Sequence, residues 1–526
     1  MVNLRRINIV KIDDINDLKK IFAEKNQIEW KQETDCKKKG NILLYVATHD
    51  ITALIDAMLF SKKLSIENKY RLFIGLDEPT DLSTCSIYES FYIDGFINMY
   101  ITNWLIKIYC FIISVYLWFG ISKPDDILKI QYMNIPIGED LYDSIIRTNL
   151  DIYTVDKIDV KCLKAIYGCV MRMQVMNSII QKNHIDTFVY SDGDYERNMF
   201  FKLALKYNLA IYQVNGGNVY RHNERFNYKE ITPGNINLQR YRMYQNTSKE
   251  KINEFLDKHF SGRREGFLDA VAYRKKEYTR EKLFRKFNIS VNDYQNVLVA
   301  AHAFSDRPHY GRDMLYRDYY QWLVETIKIL ANVREINVFV KEHPSAKFYG
   351  EQGSIKHLCS LLNIDNIYII PDDCSTISMF QIMDVVVTCQ GTIGIEAVIH
   401  GIPVVTASKG YYYGFGIDNN ASSIEEYTKL LNNLRDLPVI TNQQRDVAKK
   451  LLYISSKIFS DLHPYIYEKN RMYGKTQLEK YQCICEKKYT NVSLRDNYYN
   501  SILNDIIIYF DDMWNELEHY RQEIYR

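Results

Sequence analysis

A chain of 526 residues is too long for one hydrophobic core of ordinary size, so two or three domains are expected. Its 67 lysines and arginines nearly balance 65 aspartates and glutamates, and the net charge of +2 excludes a global field that would attract nucleic acid. Ten cysteines and the lack of a secretory signal sequence predict reduced thiols in a cytoplasmic protein.

The first 225 residues alternate strand patterns with helix patterns. The predicted strands are 41–50, 71–77, 186–194 and 209–217, and the predicted helices between and beside them are 160–184 and 197–208. Short joins between such elements predict a parallel sheet with helices on both faces. We therefore assign 1–225 to a first domain.

One segment of this domain is almost wholly apolar. It is "WLIKIYCFIISVYLWFGI", residues 104–121, interrupted by Lys107 and Ser114. We predict a buried helix here. Contact with a membrane surface is the alternative, because aromatic residues lie at both ends.

A polar region, 226–290, connects the first domain to a second one and is predicted to be helices and loops. Its densest basic run, residues 274–286, alternates charge signs, which favours a solvated helix face over a lipid or nucleic-acid patch. Further along, Cys483 and Cys485 are separated by one residue and have no second Cys/His cluster nearby, so we predict no zinc site there.

The second domain, 291–420, repeats the alternation of strands and helices. Its predicted strands are 296–306, 336–344, 366–371, 383–388 and 402–408, and its predicted helices are 315–333, 354–364 and 391–401. The remainder, 421–526, is predicted to be a helical tail that packs back on the domains, with 496–520 as one long amphipathic segment. The fold class is therefore α/β, with two doubly wound sheets whose strands end at one shared cleft.

One predicted strand of the second domain ends abruptly in Lys341, Glu342, His343 and Pro344. Proline cannot continue a central strand, so Pro344 fixes a turn. The two ring nitrogens of His343 can hold a phosphate oxygen or a base edge. Lys341 either neutralises a phosphate or pairs with Glu342.

A second strand stops at Gln390 and passes through a glycine turn into a helix. Gly391 lets a ligand approach the backbone, and Thr392 adds a hydroxyl at a helix start that suits a phosphate. Glu396 could accept hydrogen bonds from ribose hydroxyls. The alternative is structural: Gly391 and Gly394 serve the turn, Thr392 caps the helix and Glu396 favours the helix dipole.

Other polar residues crowd further strand ends and form a third set of candidates, and one of those in the first domain could act as general base. They are His302, Ser305 and Asp306 in one loop, Asp192 and Asp194 in another, and His49 and Asp50 in a third. Each is also compatible with ordinary turn chemistry. Neither a GxGxxG nor a GxxxxGK[ST] motif accompanies either sheet, which argues against a dehydrogenase or a P-loop NTPase. No metal-ligand cluster stands out.

At these residues the chain resembles the GT-B glycosyltransferases of bacterial capsule and surface polysaccharide biosynthesis. The resemblance rests on "VKEHPSA" and "TCQGTIGIEAVIHGIPVVT", with support from "IPIGEDLYDSIIR" and "VYSDGDYERN". It covers roughly 130–220 and 295–410 and implies two Rossmann-like domains that face each other across a cleft.

The resemblance also implies roles for individual residues. His343 matches the histidine that lies at the CMP part of the donor in Kdo and sialic acid transferases, Thr392 the residue at the phosphate and Glu396 the acid at the ribose. Asp192 lies near the usual position of a catalytic acid, although the acid-acid-Gly pattern of sialyltransferases is Ser191-Asp192-Gly193 here. Enzymes of this type usually need no bound metal.

The predicted function is transfer of a sugar from a nucleotide-sugar donor to a growing surface glycan, free or lipid-linked. We expect no cofactor, no metal and no nucleic-acid partner, and a cytoplasmic protein with a peripheral contact at the inner membrane. Two alternatives stay open on the same fold: a CDP-glycerol-type polyol-phosphate transferase or nucleotide-sugar epimerase, and a non-catalytic membrane-docked assembly protein.

Overall fold

The computed structural model describes most of the chain. The described residues are 15–30, 38–47, 50–77, 82–149, 152–191, 195–215, 218–222, 246–263, 270–290, 293–310, 313–362, 364, 367–455, 476–486 and 507–509. Their strands, in chain order, are β1 (Gly40–Tyr45), β2 (Tyr70–Leu76), β3 (Gly95–Asn98), β4 (Gln131–Tyr132), β5 (Ile135–Pro136), β6 (Thr187–Tyr190), β7 (Ala210–Asn215), β8 (Asn218–His222), β9 (Gln295–Ala300), β10 (Ile336–Lys341), β11 (Ile367–Ile369), β12 (Val385–Thr388), β13 (Val404–Thr406), β14 (Asn419–Asn420) and β15 (Ile507–Tyr509).

Helices cover and connect these strands. In chain order they are α1 (Ile15–Trp30), α2 (Ile51–Asn68), α3 (Leu82–Glu89), α4 (Trp104–Phe119), α5 (Gly138–Thr148), α6 (Val160–Asn183), α7 (Asn198–Lys206), α8 (Lys249–Phe260), α9 (Ala270–Tyr273), α10 (Arg280–Lys286), α11 (Tyr319–Ala331), α12 (Ser354–Leu362), α13 (Thr376–Ile382), α14 (Ile393–Ile399), α15 (Ile424–Asn432), α16 (Asn442–Ser455) and α17 (Gln477–Glu486). Short 3₁₀ turns occur at Pro124–Lys129, Tyr195–Arg197, Pro308–Tyr310, Ala346–Phe348 and Leu434–Asp436.

The predicted fold class is confirmed: the chain forms two large sheets with mainly parallel strands. The first has seven strands in the order β15-β8-β7-β6-β1-β2-β3, in which β7 and β8 are antiparallel and the other pairs are parallel. The second has six parallel strands in the order β11-β10-β9-β12-β13-β14. Because both faces of a parallel sheet are covered, central strands such as β10 and β12 are buried along their whole length.

Each of the two large sheets belongs to one lobe of the protein. Helix α5 of the first lobe contacts the second lobe. The Tyr142 hydroxyl donates to Asp318 Oδ2 at 2.6 Å, and the Asp143 carboxylate pairs with His309 Nδ1 at 2.5 Å. Tyr142 and Asp318 are fully buried or nearly so. This helix lies in "IPIGEDLYDSIIR", one of the segments on which the resemblance rests, so that segment forms part of the junction between the lobes.

The last part of the chain returns to the first lobe. Helix α17 packs on α1 and α2, where Lys480 Nζ donates to the Asp50 carboxylate and Cys485 Sγ lies 3.4 Å from the Leu18 carbonyl oxygen. Within the segment 496–520, predicted as one amphipathic helix, the described residues Ile507–Tyr509 form a strand instead. Isoleucine and tyrosine favour strands, and an open sheet edge at β8 accepts them.

The predicted buried helix at 104–121 is a helix, but the prediction of burial is wrong. In α4 the buried residues are Cys110 and Ser114, and nine large apolar side chains are exposed. The small side chains of Cys110 and Ser114 let this face of the helix approach the protein body. Both faces of the segment are apolar, so no periodicity in the sequence could distinguish the packed face from the exposed one. No described helix is both long and apolar enough to cross a membrane.

Candidate functional site

Three adjacent strands of the second sheet bring the predicted site residues together. Strand β9 lies between β10 and β12, and the chain crosses from β11 back over β9 to reach β12. The strand order therefore reverses next to β9, and in open α/β sheets ligands bind outside the carboxyl ends of the strands at such a switch point. His302 follows β9, His343 follows β10 and Gly391 follows β12.

A cavity opens at these three strand ends. Its interior has a volume of about 110 Å³, and together with its open mouth the space is about 640 Å³. Its lining consists of Ala272, Tyr273, Ala300, Ala301, His302, Lys341, Glu342, His343, Pro344, Thr376, Thr388, Gly391, Thr392, Ile393 and Glu396. A second cavity shares the wall from Lys341 to Pro344 and continues toward Lys275 and Asp372.

His343 presents a neutral ring with a defined tautomer. Burial lowers its pKa, against the opposing influence of the Asp306 carboxylate, so the ring is uncharged at neutral pH. The backbone N–H of Ser345 donates to His343 Nδ1 at 3.2 Å, and a backbone amide can only donate. The ring proton therefore resides on Nε2, and His343 offers the cavity an N–H donor suited to a phosphate or carbonyl oxygen.

His302 serves the glycine turn rather than general acid–base chemistry. Burial, together with the nearby His343 ring, lowers its pKa to about 3. Its Nε2 accepts from the Gln390 backbone N–H at 3.3 Å, and its ring stacks on Tyr319 with centroids 4.2 Å apart. An acceptor of this kind holds the end of β12 in place.

Two positions of the turn after β12, Gly391 and Gly394, leave too little room for a Cβ unless their neighbours shift. A Cβ on Gly391 would lie 2.9 Å from Thr388 Oγ1, and one on Gly394 would lie 2.2 Å from the Tyr412 hydroxyl oxygen. That hydroxyl donates to the Gly391 carbonyl at 3.0 Å, which closes the turn from behind. Thr392 is exposed and its side chain makes no cap hydrogen bond, so its hydroxyl is not engaged as the helix cap that the structural alternative assumed.

Glu396 is buried on the cavity wall and already has a protein partner. His259, on α8 of the connecting region, places its Nε2 2.8 Å from Glu396 Oε1. Both side chains are at most 7% exposed. A carboxylate held in this way has a fixed orientation, with its second oxygen left for other contacts.

Lys341 and Glu342 do not form the ion pair that the sequence left open. Burial lowers the pKa of Lys341 to about 8, with Lys275 acting in the same direction, and its ammonium donates to the Cys374 carbonyl at 3.0 Å. Glu342 instead accepts from the Gly353 backbone N–H at 2.8 Å, at the start of α12. Both residues lie in the wall that the two cavities share.

Other candidates have structural partners. Gln390 is outside the lining, and its amide donates to Tyr319 and accepts from Ser408. Asp50 caps α2 by accepting from the Thr52 N–H.

The loop that carries His302, Ser305 and Asp306 is fixed by hydrogen bonds to Glu351. The buried Glu351 carboxylate accepts from the Ser305 hydroxyl at 2.6 Å and from the Ser305 backbone N–H at 2.8 Å. Asp306 faces His343 and Tyr349, close enough to act on the pKa of both. His49, Asp192 and Asp194 lie outside the described residues.

Sequence reasoning missed several residues of the site, among them His259, Tyr273 and Thr376. The first two belong to the described part of the connecting region, where Ala272 and Tyr273 line the cavity, and a parallel bridge joins Lys276 of that region to Cys374 of the second lobe. Aromatic and histidine residues in this polar stretch were the available signal. Among the described residues no group of three or more His, Cys, Asp or Glu side chains could hold a metal ion, and metal independence stays a prediction.

Comparison with known proteins supports the resemblance for part of the chain. Residues 314–452 match the family model described as capsule polysaccharide biosynthesis protein. This range contains α12, the His343 turn and the Gly391 turn. The predicted similarity to capsule polysaccharide biosynthesis proteins is thereby confirmed for this part of the chain. A search of curated proteins gave no match.

Solved structures with some likeness include the beta Kdo 2,4 transferase KpsC of Thermosulfurimonas dismutans, at 11% identity and a TM-score of 0.31, covering 52% of this chain and 79% of that one. A glycosyltransferase from Rickettsia africae shares 13% identity at a TM-score of 0.23, covering 93% and 100%. The UDP-GlcNAc 2-epimerase of Neisseria meningitidis, bound to UDP-GlcNAc, shares 11% identity at 0.23, covering 79% and 99%.

Proposed function

We propose that this protein is a glycosyltransferase that transfers a sugar from a nucleotide-sugar donor to a growing surface glycan. The observation that carries the proposal is the convergence of the His343 and Gly391 turns on one cavity at the switch point of the second sheet. The match of residues 314–452 to capsule polysaccharide biosynthesis proteins supports the same assignment.

In this proposal the cavity binds the nucleotide part of the donor. The neutral His343 donates from Nε2 to an oxygen of the phosphate, and the exposed Thr392 hydroxyl donates to another. Donors fixed in place before the reaction stabilise the charge that develops on the leaving phosphate. Glu396, oriented by His259, accepts from a hydroxyl of the ribose.

The acceptor side of the proposal rests on the first lobe. Tyr195, on that lobe, donates its hydroxyl hydrogen to the Ser305 carbonyl oxygen at 3.1 Å, next to Asp306 of the second lobe. Asp192 remains our proposed general base toward the acceptor hydroxyl, and the absence of a cofactor requirement remains a prediction. Closure of the lobes would exclude water, whose attack would waste the donor.

The direct test is turnover of nucleotide-sugar donors by the purified protein, with a panel of CMP-, CDP-, UDP- and GDP-linked sugars and glycan acceptors. We expect His343→Ala and Thr392→Ala to lower kcat/KM at least tenfold, the effect of one lost charge-stabilising donor. His357→Ala, which changes an exposed histidine on α12, is the matched control and should have no effect.

Different outcomes separate the alternatives. A product with an altered sugar and no transfer identifies an epimerase, and transfer of a polyol phosphate identifies the CDP-glycerol type. If none of the four nucleotides CMP, CDP, UDP and GDP raises the Tm, the proposed site is wrong and a non-catalytic assembly protein is favoured.

A further inference from the structure

Helix α4 carries the largest exposed apolar feature of the described residues. Nine of its side chains are 41–76% exposed: Trp104, Leu105, Ile106, Ile108, Tyr109, Phe111, Ile112, Tyr116 and Phe119. At about 150–250 Å² for each of the five aromatic side chains and somewhat less for each of the four aliphatic ones, the exposed part amounts to roughly 1,000 Å². Monomers seldom expose a contiguous apolar patch above about 600 Å², and larger patches mark sites of protein or membrane contact.

The geometry of the helix limits what that partner can be. Every residue from Trp104 to Tyr109 is exposed, and six consecutive residues span more than one helical turn. Exposed side chains therefore point from every side of the first part of α4, although Tyr109 also contacts Tyr132 of the protein body. A partner that reaches several sides of the helix at once, as a lipid phase does, fits this surface best.

A second copy of this chain fits the surface less well. Two ridges of this kind in contact would cover one side of each, roughly 500 Å² per partner. A stable dimer buries about 800 Å² per partner.

Charges around the helix match a lipid surface. Lys107 on α4 and Lys123 and Lys129 just after it are exposed. Of the neighbouring acids, Asp126 accepts from the Lys123 backbone N–H at 3.1 Å and lies 3.8 Å from Lys129 Nζ, and Asp125 pairs with Arg317 at 3.2 Å. Lys107 and Lys123 therefore supply the positive charge at the rim of the apolar ridge, and tryptophan and tyrosine at its ends are the residues that membrane interfaces favour.

We propose that α4 inserts into the interface of a bilayer that contains anionic lipids and anchors the first lobe there. Sixteen residues form a helix about 24 Å long, shorter than the hydrocarbon core of about 30 Å, so the helix lies in the interface and does not span it. The partner is the bilayer itself. This inference rests on the exposed helix and not on the proposed glycosyl transfer.

The test is flotation of the full-length protein with vesicles of phosphatidylcholine and of phosphatidylcholine with phosphatidylglycerol at 1:1. We expect binding to both and at least fivefold tighter binding to the anionic vesicles. Leu105→Glu and Ile112→Glu should each weaken binding at least tenfold, whereas Val439→Glu, at a site 84% exposed on the other lobe, should not. Far-UV circular dichroism and Tm of each variant check folding.

Fluorescence gives a second readout that needs no destabilising change. Vesicles should shift tryptophan emission to the blue, and Trp104→Phe should remove a large part of that shift. Absence of vesicle binding by the unaltered protein overturns the proposal. So does a dimer in light scattering that Ile112→Glu dissociates, because α4 would then be an interface between copies. Both results leave the donor-turnover test untouched.

Discussion

His259 and Glu396, 137 positions apart in the chain, are joined by a hydrogen bond of 2.8 Å in the wall of the candidate site. One belongs to the connecting region and the other to the helix after β12. The contact therefore links the segment between the lobes to the predicted ribose-binding carboxylate, and it makes His259 a positioning residue in our proposal.

Replacing His259 by alanine leaves the buried Glu396 carboxylate without this donor. Loss of a hydrogen bond to a buried charged group costs about 1–3 kcal/mol, so we expect a lower Tm. We also expect nucleotide affinity to fall about tenfold, measured by titration calorimetry with the nucleotide that binds best. His259→Gln keeps a donor and should recover part of the affinity. A lower Tm with unchanged affinity would limit His259 to a structural role.

The Gly391 turn predicts a steric effect. Gly394→Ala places a Cβ against the Tyr412 hydroxyl and should lower the free energy of unfolding by about 1–3 kcal/mol, as overpacking does. Removing the hydroxyl in the double variant Gly394→Ala/Tyr412→Phe should return part of the loss, because the nearest clashing atom is gone. Denaturant unfolding of the single and double variants measures this coupling.

A matched glycine distinguishes this clash from a general glycine effect. Gly168 lies in α6, where a Cβ would meet its nearest neighbour at 3.6 Å, an ordinary contact. Gly168→Ala should be neutral or stabilising by up to about 1 kcal/mol, because alanine favours helix. Equal losses at both positions would contradict the steric account.

The lowered pKa of His302 predicts that the folded protein loses stability in acid. Its pKa is about 3 in the folded protein and about 6.5 in the unfolded chain, so between these values the unfolded state binds more protons. Its contribution to stability is lost as the pH falls from about 6.5 toward 3, by about 2 kcal/mol between pH 7 and pH 5. His302→Gln should reduce the difference in unfolding free energy between these two pH values by this amount. The same difference in His357→Gln should equal that of the unaltered protein.

The pH dependence of stability expected from His309 has the opposite sign and lies at alkaline pH. Burial alone would lower its pKa, but the Asp143 carboxylate, with Glu139 and Asp318 nearby, raises it to about 9. The imidazolium pair therefore stabilises the contact between the lobes fully below about pH 6.5, and this contribution is lost as the pH rises through 9.

The size of this contribution can be measured in the intact chain. Between pH 7 and pH 10 the free energy of unfolding should fall by about 2 kcal/mol more in the unaltered protein than in His309→Gln. Asp143→Asn should remove most of the same pH dependence, because it removes the anion that raises the pKa. An unchanged pH profile in both variants would show that the pair does not titrate in this range.

The strand ends were predictable from the sequence because their signal is local. The apolar run before Lys341 and the one before Gln390 stop abruptly at polar residues, and sheet topology alone places such ends along one edge. His259 and Tyr273 were not predictable, since their place in the site depends on how a polar connecting region folds back across long sequence distances. The exposure of α4 was not predictable from the sequence either, because a helix that is apolar on every side has the same pattern whether it is buried in protein or faces lipid.

The position of strand β15 determines when the sheet of the first lobe can be completed. Ile507 pairs with Val219, 288 positions earlier, and adds the outermost strand to the sheet of the first lobe. Loop-closure entropy makes such distant pairings slow, and domains otherwise fold as they leave the ribosome, N-terminal part first. During synthesis, the β8 edge of the first lobe therefore stays unpaired until the second lobe and β15 have been made. In that interval the exposed strand edge is a site where chaperones would prevent aggregation.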